Sequence, residues 1–380
     1  MASVSQLLPA LPWLVPFASL FRLASNRPNL SDVSPAAAGL VSVIVPARNE
    51  STSIETVIRS VLSSTYERLE LLVVDDRSTD DTAAIAERLA REDARLRLVR
   101  GERLPDGWYG KPWACFQGYR AARGDLLLFT DADTRHEPEL LARAVGALRG
   151  QRADLVTVAP RQRCDTFWER LVMPQIWLLL AVRYHPTRVN RARHERDVIA
   201  NGQFILVRRE SYEAAGTHEA VRHEVAEDLA LAQAFHRAGR KIHFAFAERL
   251  METRMYQSLP HMVEGWSKNV YLGGRRSFPN EPVRRALVPL MLLAAFLFWL
   301  VPPAVLAVSG GSGGLGMAAL AATLASTVFW IMIAAGMRIP PLYGLGYPLG
   351  ALVALYIAAR SVWRGGRRVE WRGRVYGGRP

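Results

Sequence analysis

Two carboxylates one residue apart, at the end of an apolar run, are the sharpest chemical signal in this sequence. Gly124-Asp125-Leu126-Leu127-Leu128-Phe129-Thr130-Asp131-Ala132-Asp133-Thr134 passes directly from Leu126–Phe129 into Asp131 and Asp133. A run this short reads as a strand buried on both faces. In an open α/β sheet, ligands bind just past the carboxyl ends of such strands. Two carboxylates in a turn there can converge on one hard cation, Mg²⁺ or Mn²⁺, that bridges to a substrate's phosphates. The competing reading is a simple turn, because Asp and Thr also cap helices and bond their own backbone.

Other charged groups fall at comparable places. LELLVVDD (69–76) ends in Asp75 and Asp76; Asp75 can accept hydrogen bonds from a base or ribose, or cap the next helix. Pro46, Arg48 and Glu50 close the strand VSVIVPARNE (41–50). Lys111, after Gly110, can reach a diphosphate or stand in solvent. Glu227 and Asp228 open a helix at 229–238. A helix N-terminus stabilises a carboxylate and lowers its pKa. Asp228 would therefore serve as a base only if a bound acceptor desolvated it; otherwise the pair complements the helix dipole. His185, His194, His218, His223, His236, His243 and His261 show no metal-site spacing.

The elements that position these residues alternate. After the strand at 41–50, STSIETVIRSVL (51–62) carries Ile54, Val57, Ile58, Val61 and Leu62 at one-face helical spacing, with Ser51–Ser53 as caps. A strand at 69–76, a helix at 78–90 capped by Ser78 or Thr79, a strand at 96–99, a helix at 112–123 and a strand at 155–160 follow. This alternation predicts an α/β fold, a mostly parallel sheet with helices on both faces.

VSVIVPARNE, VVDDRSTD, Gly110-Lys111 with Ala114, and FTDADT, in this order, resemble the family 2 glycosyltransferases of GT-A fold. The resemblance continues through NGQFILVRRE (201–210), AEDLALAQAFHRAGRKI (226–242) and RMYQSL…VEGWSKNVYLG (254–273), and is nearest to the hopene- and hopanoid-associated and carotenoid branch. It implies that Asp228 is the catalytic base with Glu227 beside it. It further implies that Asp75, with Asp76, binds the nucleoside of a nucleotide-diphosphate sugar, UDP-linked in this reading. Asp131 and Asp133 would handle ribose and metal. Pro46, Arg48, Glu50, Lys111, Gly202 and Gln203 would line the donor, with Trp266 and Lys268 closing over it. The Q-x-x-R-W motif of processive synthases is missing, which implies transfer of one sugar, with inversion, to a lipid acceptor.

The whole chain supports a membrane setting. Its 380 residues are 50% hydrophobic with formal net charge +13, mean hydropathy +0.04 and pI about 10.3. Such a balance suits phosphorylated substrates or anionic lipid, and the interleaved apolar spans favour lipid over nucleic acid. Two cysteines, Cys115 and Cys164, indicate neither a disulfide framework nor a zinc site. Residues 1–39 read as a short apolar anchor (7–21) and a linker (25–39), 40–280 as the GT-A domain, 281–363 as transmembrane or interfacial helices, and 364–380 as a basic tail. Residues 165–182 read as an interfacial helix interrupted by Pro174, and the basic stretch 183–197 as a headgroup contact or a flexible loop. Segments 286–308, 314–336 and 342–363 are each long enough to span. Three spans after a cytosolic domain would put the Arg-rich tail outside, against the positive-inside rule. A re-entrant break at Pro302-Pro303, or among Gly344, Gly346, Pro348 and Gly350, would return the tail, with its VEWRGRVY ending (369–376), to the cytosolic face of a bacterial-type inner membrane. Two rivals stand beside this reading. Asp131-Ala132-Asp133-Thr134 resembles the D-x-D-x-T nucleophile motif of haloacid-dehalogenase phosphatases, although Arg135 stands where the motif has Thr and that family carries it on its first strand. The other rival is a membrane scaffold with a dead transferase fold.

Overall fold

The computed structural model describes residues 4–25, 27–365, 368–371 and 374–377. A 3-10 segment, Val4–Leu14, leads into α1 (Val15–Ser25). Strand and helix then alternate: β1 (Val41–Ala47), α2 (Ile54–Leu62), β2 (Leu69–Asp75), α3 (Thr82–Ala90), β3 (Leu96–Arg100), α4 (Gly110–Ala121) and β4 (Leu126–Thr130). Next come β5 (Thr134–His136), α5 (Leu140–Gly150), β6 (Leu155–Ala159), β7 (Arg161–Gln162), α6 (Phe167–Arg183), α7 (Pro186–Val189), β8 (Phe204–Arg208) and α8 (Arg209–Ala214). The chain continues through α9 (Glu227–Arg237), β9 (Ile242–Phe246), β10 (Met251–Thr253), α10 (Leu259–Arg276), α11 (Pro282–Ser309), α12 (Gly313–Gly336) and α13 (Tyr347–Arg364).

Two compact units share these elements. One comprises residues 1–26, 164–185 and 256–365; the other comprises 27–163, 186–255 and 366–380. The stretch read as one domain at 40–280 is thus divided, with α6 and α10 grouped with the apolar helices.

In the second unit a seven-stranded sheet runs β3-β2-β1-β4-β8-β6-β9. All neighbours are parallel except β8, which is antiparallel to β4 and β6. Period-two alternation explains its two cores. Val43 and Val45 of β1 pack with α2, α3 and α5 on one face, while Ile44 packs with Leu72, Val74 and Phe235 on the other. Fully burying such a side chain contributes about 1.5–3 kcal/mol. A smaller sheet, β5-β10-β7, follows the acidic turn.

Several local expectations change. Residues 29–39 are not a loose linker. Leu30 is fully buried, Ala36 N–H donates to Ala142 O at 2.9 Å, and Arg143 donates to the carbonyls of Ser31 and Val33. Helix α2 starts at Ile54 without a side-chain cap from Ser53. Helix α3 starts at Thr82, four residues past Ser78. The reason is Asp80, whose carboxylate takes the Thr82 hydroxyl and the N–H groups of Thr82 and Ser51, keeping 78–81 in the loop. The 183–197 stretch is pinned, not flexible. Asn190 exchanges hydrogen bonds with Phe244 O and N at 3.0 and 2.6 Å, and Val189 and Val198 are buried.

In the first unit α6 continues through Pro174, opened by a capping box between Thr166 and Glu169. Helix α11 likewise runs unbroken through Pro289, Pro302 and Pro303, so no break occurs at Pro302-Pro303. A break does precede α13, where Pro341–Gly346 is 3-10. Three segments, Pro282–Ser309, Gly313–Gly336 and Pro341–Arg364, are long and apolar enough to cross a membrane. Trp13 stacks on Phe298 at 4.7 Å and Phe17 meets Phe329 edge-on, so the N-terminal segment packs on α11 and α12. Glu264 of α10 pairs with Arg360 and Arg364 of α13 at 3.0 and 2.7 Å. The tail's expected place at the membrane face lies partly outside the described residues.

Candidate active site

Helix α4 delivers Lys111. It lies close on the sheet because Gly118 has no side chain: a Cβ there would stand 2.4 Å from Ile44 Cγ2. Lys111 Nζ sits 2.8 Å from Asp131 Oδ1 and 2.8 Å from Glu227 Oε1, joining the turn after β4 to the first turn of α9. Burial alone would discharge this ammonium. The carboxylates of Asp131, Glu227 and Asp228 outweigh it and hold the pKa well above the ordinary lysine value.

Asp228, in the first turn of α9, is held by two backbone donors. Gly202 N–H donates to Oδ2 at 2.9 Å, and Leu229 N–H to Oδ1 at 2.7 Å. The expected lowered pKa is corrected. Burial, reinforced by the neighbouring Glu227 charge, pushes Asp228 up to about 6, against the opposing pull of Lys111 and the two N–H groups. A Cβ on Gly202 would lie 2.9 Å from Lys111 Nζ and 3.3 Å from Asp228 Oδ2, so Gly202 is where these groups close on each other.

Asp131 and Asp133 flank buried Ala132 in the turn between β4 and β5. Asp133 O accepts from Thr253 Oγ1 at 3.3 Å and from Arg254 N at 3.4 Å, which ties the turn to β10. Among the described residues no group of three or more His, Cys, Asp or Glu could hold a metal by itself. Two carboxylates with the remaining positions left to phosphate oxygens and water are the donor set Mg²⁺-type ions take beside a substrate. The chemistry of this donor set fits such an ion, and Asp131 also faces Lys111.

Asp75 ends β2, beside Ala47 of β1, and β4 pairs with β1 in parallel on its other side. The carboxyl ends of β2, β1 and β4 therefore share one sheet edge, with neighbouring strands about 4.8 Å apart. Asp75 and Asp76 are both buried there, and Asp75 Oδ1 accepts from Ser78 N–H. The loops after β1 and β2 are laced together: Asn49 N–H to Ser78, Thr79 N–H to Asn49, Glu50 N–H to Thr82. Asn49 and Arg77 lie in the left-handed region, φ 55° and 57°, a cost the lacing offsets.

Four expected donor contacts sit differently. Pro46 is an interior residue of β1, buried and paired with Val74. The Arg48 guanidinium donates to the carbonyls of Asp76 and Arg77 at 2.7 and 2.8 Å, so it braces the loop after β2. Gln203 is buried, and its side-chain oxygen accepts from Gln162 and Asn201, so it braces its own loop. Trp266 is a core residue of the apolar unit. It is 7% exposed, with its ring against Trp177 and Tyr256 and its N–H on Met173 sulfur, so it could close over a donor only by unpacking. Lys268 lies on the same helix, α10. His136, buried behind the acidic turn, has no periodic or spacing signal in the sequence.

Against known proteins, residues 42–216 match the glycosyl transferase family 2 model. Over that stretch the chain resembles a family 2 glycosyltransferase domain. This covers the Asp75, Lys111 and Asp131–Asp133 positions and leaves the phosphatase reading, which needs the motif on the first strand, without support. The chain is 27% identical over 243 residues to a 4,4'-diaponeurosporenoate glycosyltransferase of Staphylococcus haemolyticus, covering 63% of each. It is 26% identical over 268 residues to the Staphylococcus aureus (strain MRSA252) enzyme of that name, covering 68% of this chain and 65% of that one. It thus spans slightly under two thirds of these relatives' length, and they are carotenoid-type glycosyltransferases, not hopanoid-associated ones. A mannosyltransferase from Pyrobaculum calidifontis, solved with GDP-Man and Mn²⁺, superposes with TM-score 0.55 at 22% identity, over 95% of this chain and 99% of that one. The fold of the family 2 domain is therefore GT-A.

Proposed function

We propose that this protein is a membrane-bound inverting glycosyltransferase that moves one sugar from a nucleotide-diphosphate sugar to an apolar lipid acceptor. One observation carries the reading: a carboxylate with a pKa near 6, Asp228, stands within one charge cluster with Lys111 and the acid of the metal-binding turn. A base poised near the working pH is what general-base catalysis requires.

In this reading Asp228 takes the acceptor hydroxyl proton as that oxygen attacks C1 from the face opposite the leaving group, which inverts the anomeric centre. Asp75, with Asp76, reads the nucleoside at the edge of β2. Asp133 and Asp131 hold a divalent cation, Mg²⁺ or Mn²⁺, whose chemistry is to neutralise charge on the departing diphosphate. Lys111 adds a fixed positive charge beside that diphosphate. The three apolar helices keep the chain at a membrane, where an apolar acceptor is dissolved. The name of the staphylococcal relatives supports an acceptor of carotenoid type over a hopanoid. The dead-scaffold reading is disfavoured by the intact Lys111–Asp131–Glu227–Asp228 cluster.

The test incubates membranes containing the protein with a panel of UDP- and GDP-sugars and with extracted apolar lipids, then weighs the lipid products by mass spectrometry. A mass increase of one hexose-type unit that disappears in Asp228→Asn is expected. Loss of water-soluble label with no modified lipid, or full turnover by Asp228→Asn, would overturn the proposal.

A further inference from the structure

Behind the acidic turn, at the end of β5, His136 is 6% exposed. Its ring Nε2 lies 3.1 Å from Thr130 Oγ1 and 3.2 Å from Thr134 Oγ1. Thr130 Oγ1 is 2.7 Å from Gln203 O, and Thr134 Oγ1 is 2.8 Å from Asp131 O. A carbonyl only accepts, so each hydroxyl gives its single proton to a carbonyl. Neither threonine has a second proton for the ring. Nε2 must therefore carry hydrogen and share it between two hydroxyl oxygens that stand 3.2 Å apart. With that tautomer every proton in the group has an acceptor; with the other, two acceptors and a bare nitrogen would face each other.

The two carbonyls belong to the two halves of the proposed site. Asp131 O is in the acidic turn. Gln203 O adjoins Gly202, whose N–H holds Asp228. The His136 backbone is itself anchored, its N–H donating to Ser60 Oγ of α2 at 3.1 Å.

We propose that His136 is a positioning residue: through Thr130 and Thr134 its Nε2–H fixes the Asp131–Asp133 turn against the Asn201–Gln203 loop, and so sets the spacing between the metal-side carboxylates and Asp228. The part of this that concerns metal and base rests on the proposed function; the tie between turn and loop does not. Burial holds the imidazole pKa down at about 3, so the ring acts as a neutral donor throughout the physiological range. Groups that orient a metal's own ligands commonly matter about 10- to 100-fold in metal affinity.

The test uses the full chain in detergent micelles, comparing His136→Gln, which keeps an N–H near the Nε2 position, with His136→Leu, which keeps only bulk. Two readouts are taken: Mn²⁺ binding, followed by electron paramagnetic resonance in the presence of inorganic pyrophosphate, and hydrogen–deuterium exchange of peptides covering 129–136 and 201–204. His136→Leu should weaken Mn²⁺ by about 10- to 100-fold and speed exchange in both peptides together, while His136→Gln stays within about threefold of the parent. The proposal is overturned if Leu leaves both peptides unchanged, or if Gln falls as far as Leu. Should His136→Leu fail to fold, Thr134→Val against Thr134→Ser makes the same comparison, Ser keeping the hydroxyl. Asp133→Ala separates the two levels. If it binds Mn²⁺ as the parent does, the metal assignment fails, and the exchange readout still decides whether His136 ties turn to loop.

Discussion

Asp228 begins a helix, and that position favours its ionised form by about 0.3–1 kcal/mol, under one pKa unit. Desolvation of a carboxylate can raise the pKa by several units. The larger effect wins, and Asp228 sits near 6. A base must be deprotonated to act, so kcat/KM should fall about tenfold per pH unit below pH 6 and level off above it. A profile flat down to pH 4.5 would remove Asp228 from that role. Asp228→Asn should lower kcat at least about 10²–10³-fold while the protein stays folded. Lys111 opposes the upward shift, so Lys111→Met should move the acid limb to higher pH, and an unmoved limb would show that the ammonium does not govern the base. The sequence displays these charged residues, Glu227 included, but not the enclosure, and so it points to the wrong sign for Asp228. Desolvation is a property of the assembled site, which no local pattern encodes.

At the scale of elements, Gly202 and the turn after β4 are where backbone placement becomes chemistry. Gly202→Ala would put a methyl against Lys111 Nζ and Asp228 Oδ2. The backbone accepts alanine there, and the flexible lysine tip can swing away, so we expect a folded protein with activity lowered about 10-fold or more. Unchanged kinetics in that variant would mean the two groups need not approach. Asp133→Ala should lose about 10²–10³ in kcat and its response to added Mn²⁺; a variant that still responds would place the cation elsewhere. The alternation from β1 to β4 was legible, since the strands are rich in β-branched residues and leucine and α2 shows a clear 3.6 period. Strands β5, β7 and β10, of two or three residues, are too short to show any period. Their pairing, and the buried His136 it carries, therefore escaped notice. Pro174 and Pro302-Pro303 misled for a different reason: α6 and α11 continue through prolines that would break an isolated helix.

For the whole molecule, the regular part of α13 is 18 residues, about 27 Å, and reaches a bilayer core of about 30 Å only together with the 3-10 turn before it, whereas α11 at 28 residues exceeds that thickness alone. A topology that keeps the Arg-rich tail cytosolic would make α11 and α12 a membrane hairpin with α13 at the inner face. A cysteine added after Pro380 should then react with an impermeant reagent only in inside-out vesicles; labelling in intact spheroplasts would mean that all three cross. The division of the chain has a practical consequence as well. The polypeptide leaves the nucleotide-type unit at 163/164, returns to it at 185/186 and leaves it again at 255/256. Trimming everything after residue 280 to obtain a soluble fragment would take α13 away from α6 and α10, baring Leu171, which Gly346 and Gly350 approach, and leaving Glu264 without Arg360 and Arg364. Such a truncation should precipitate, and biochemistry on this protein has to begin from lipid or detergent.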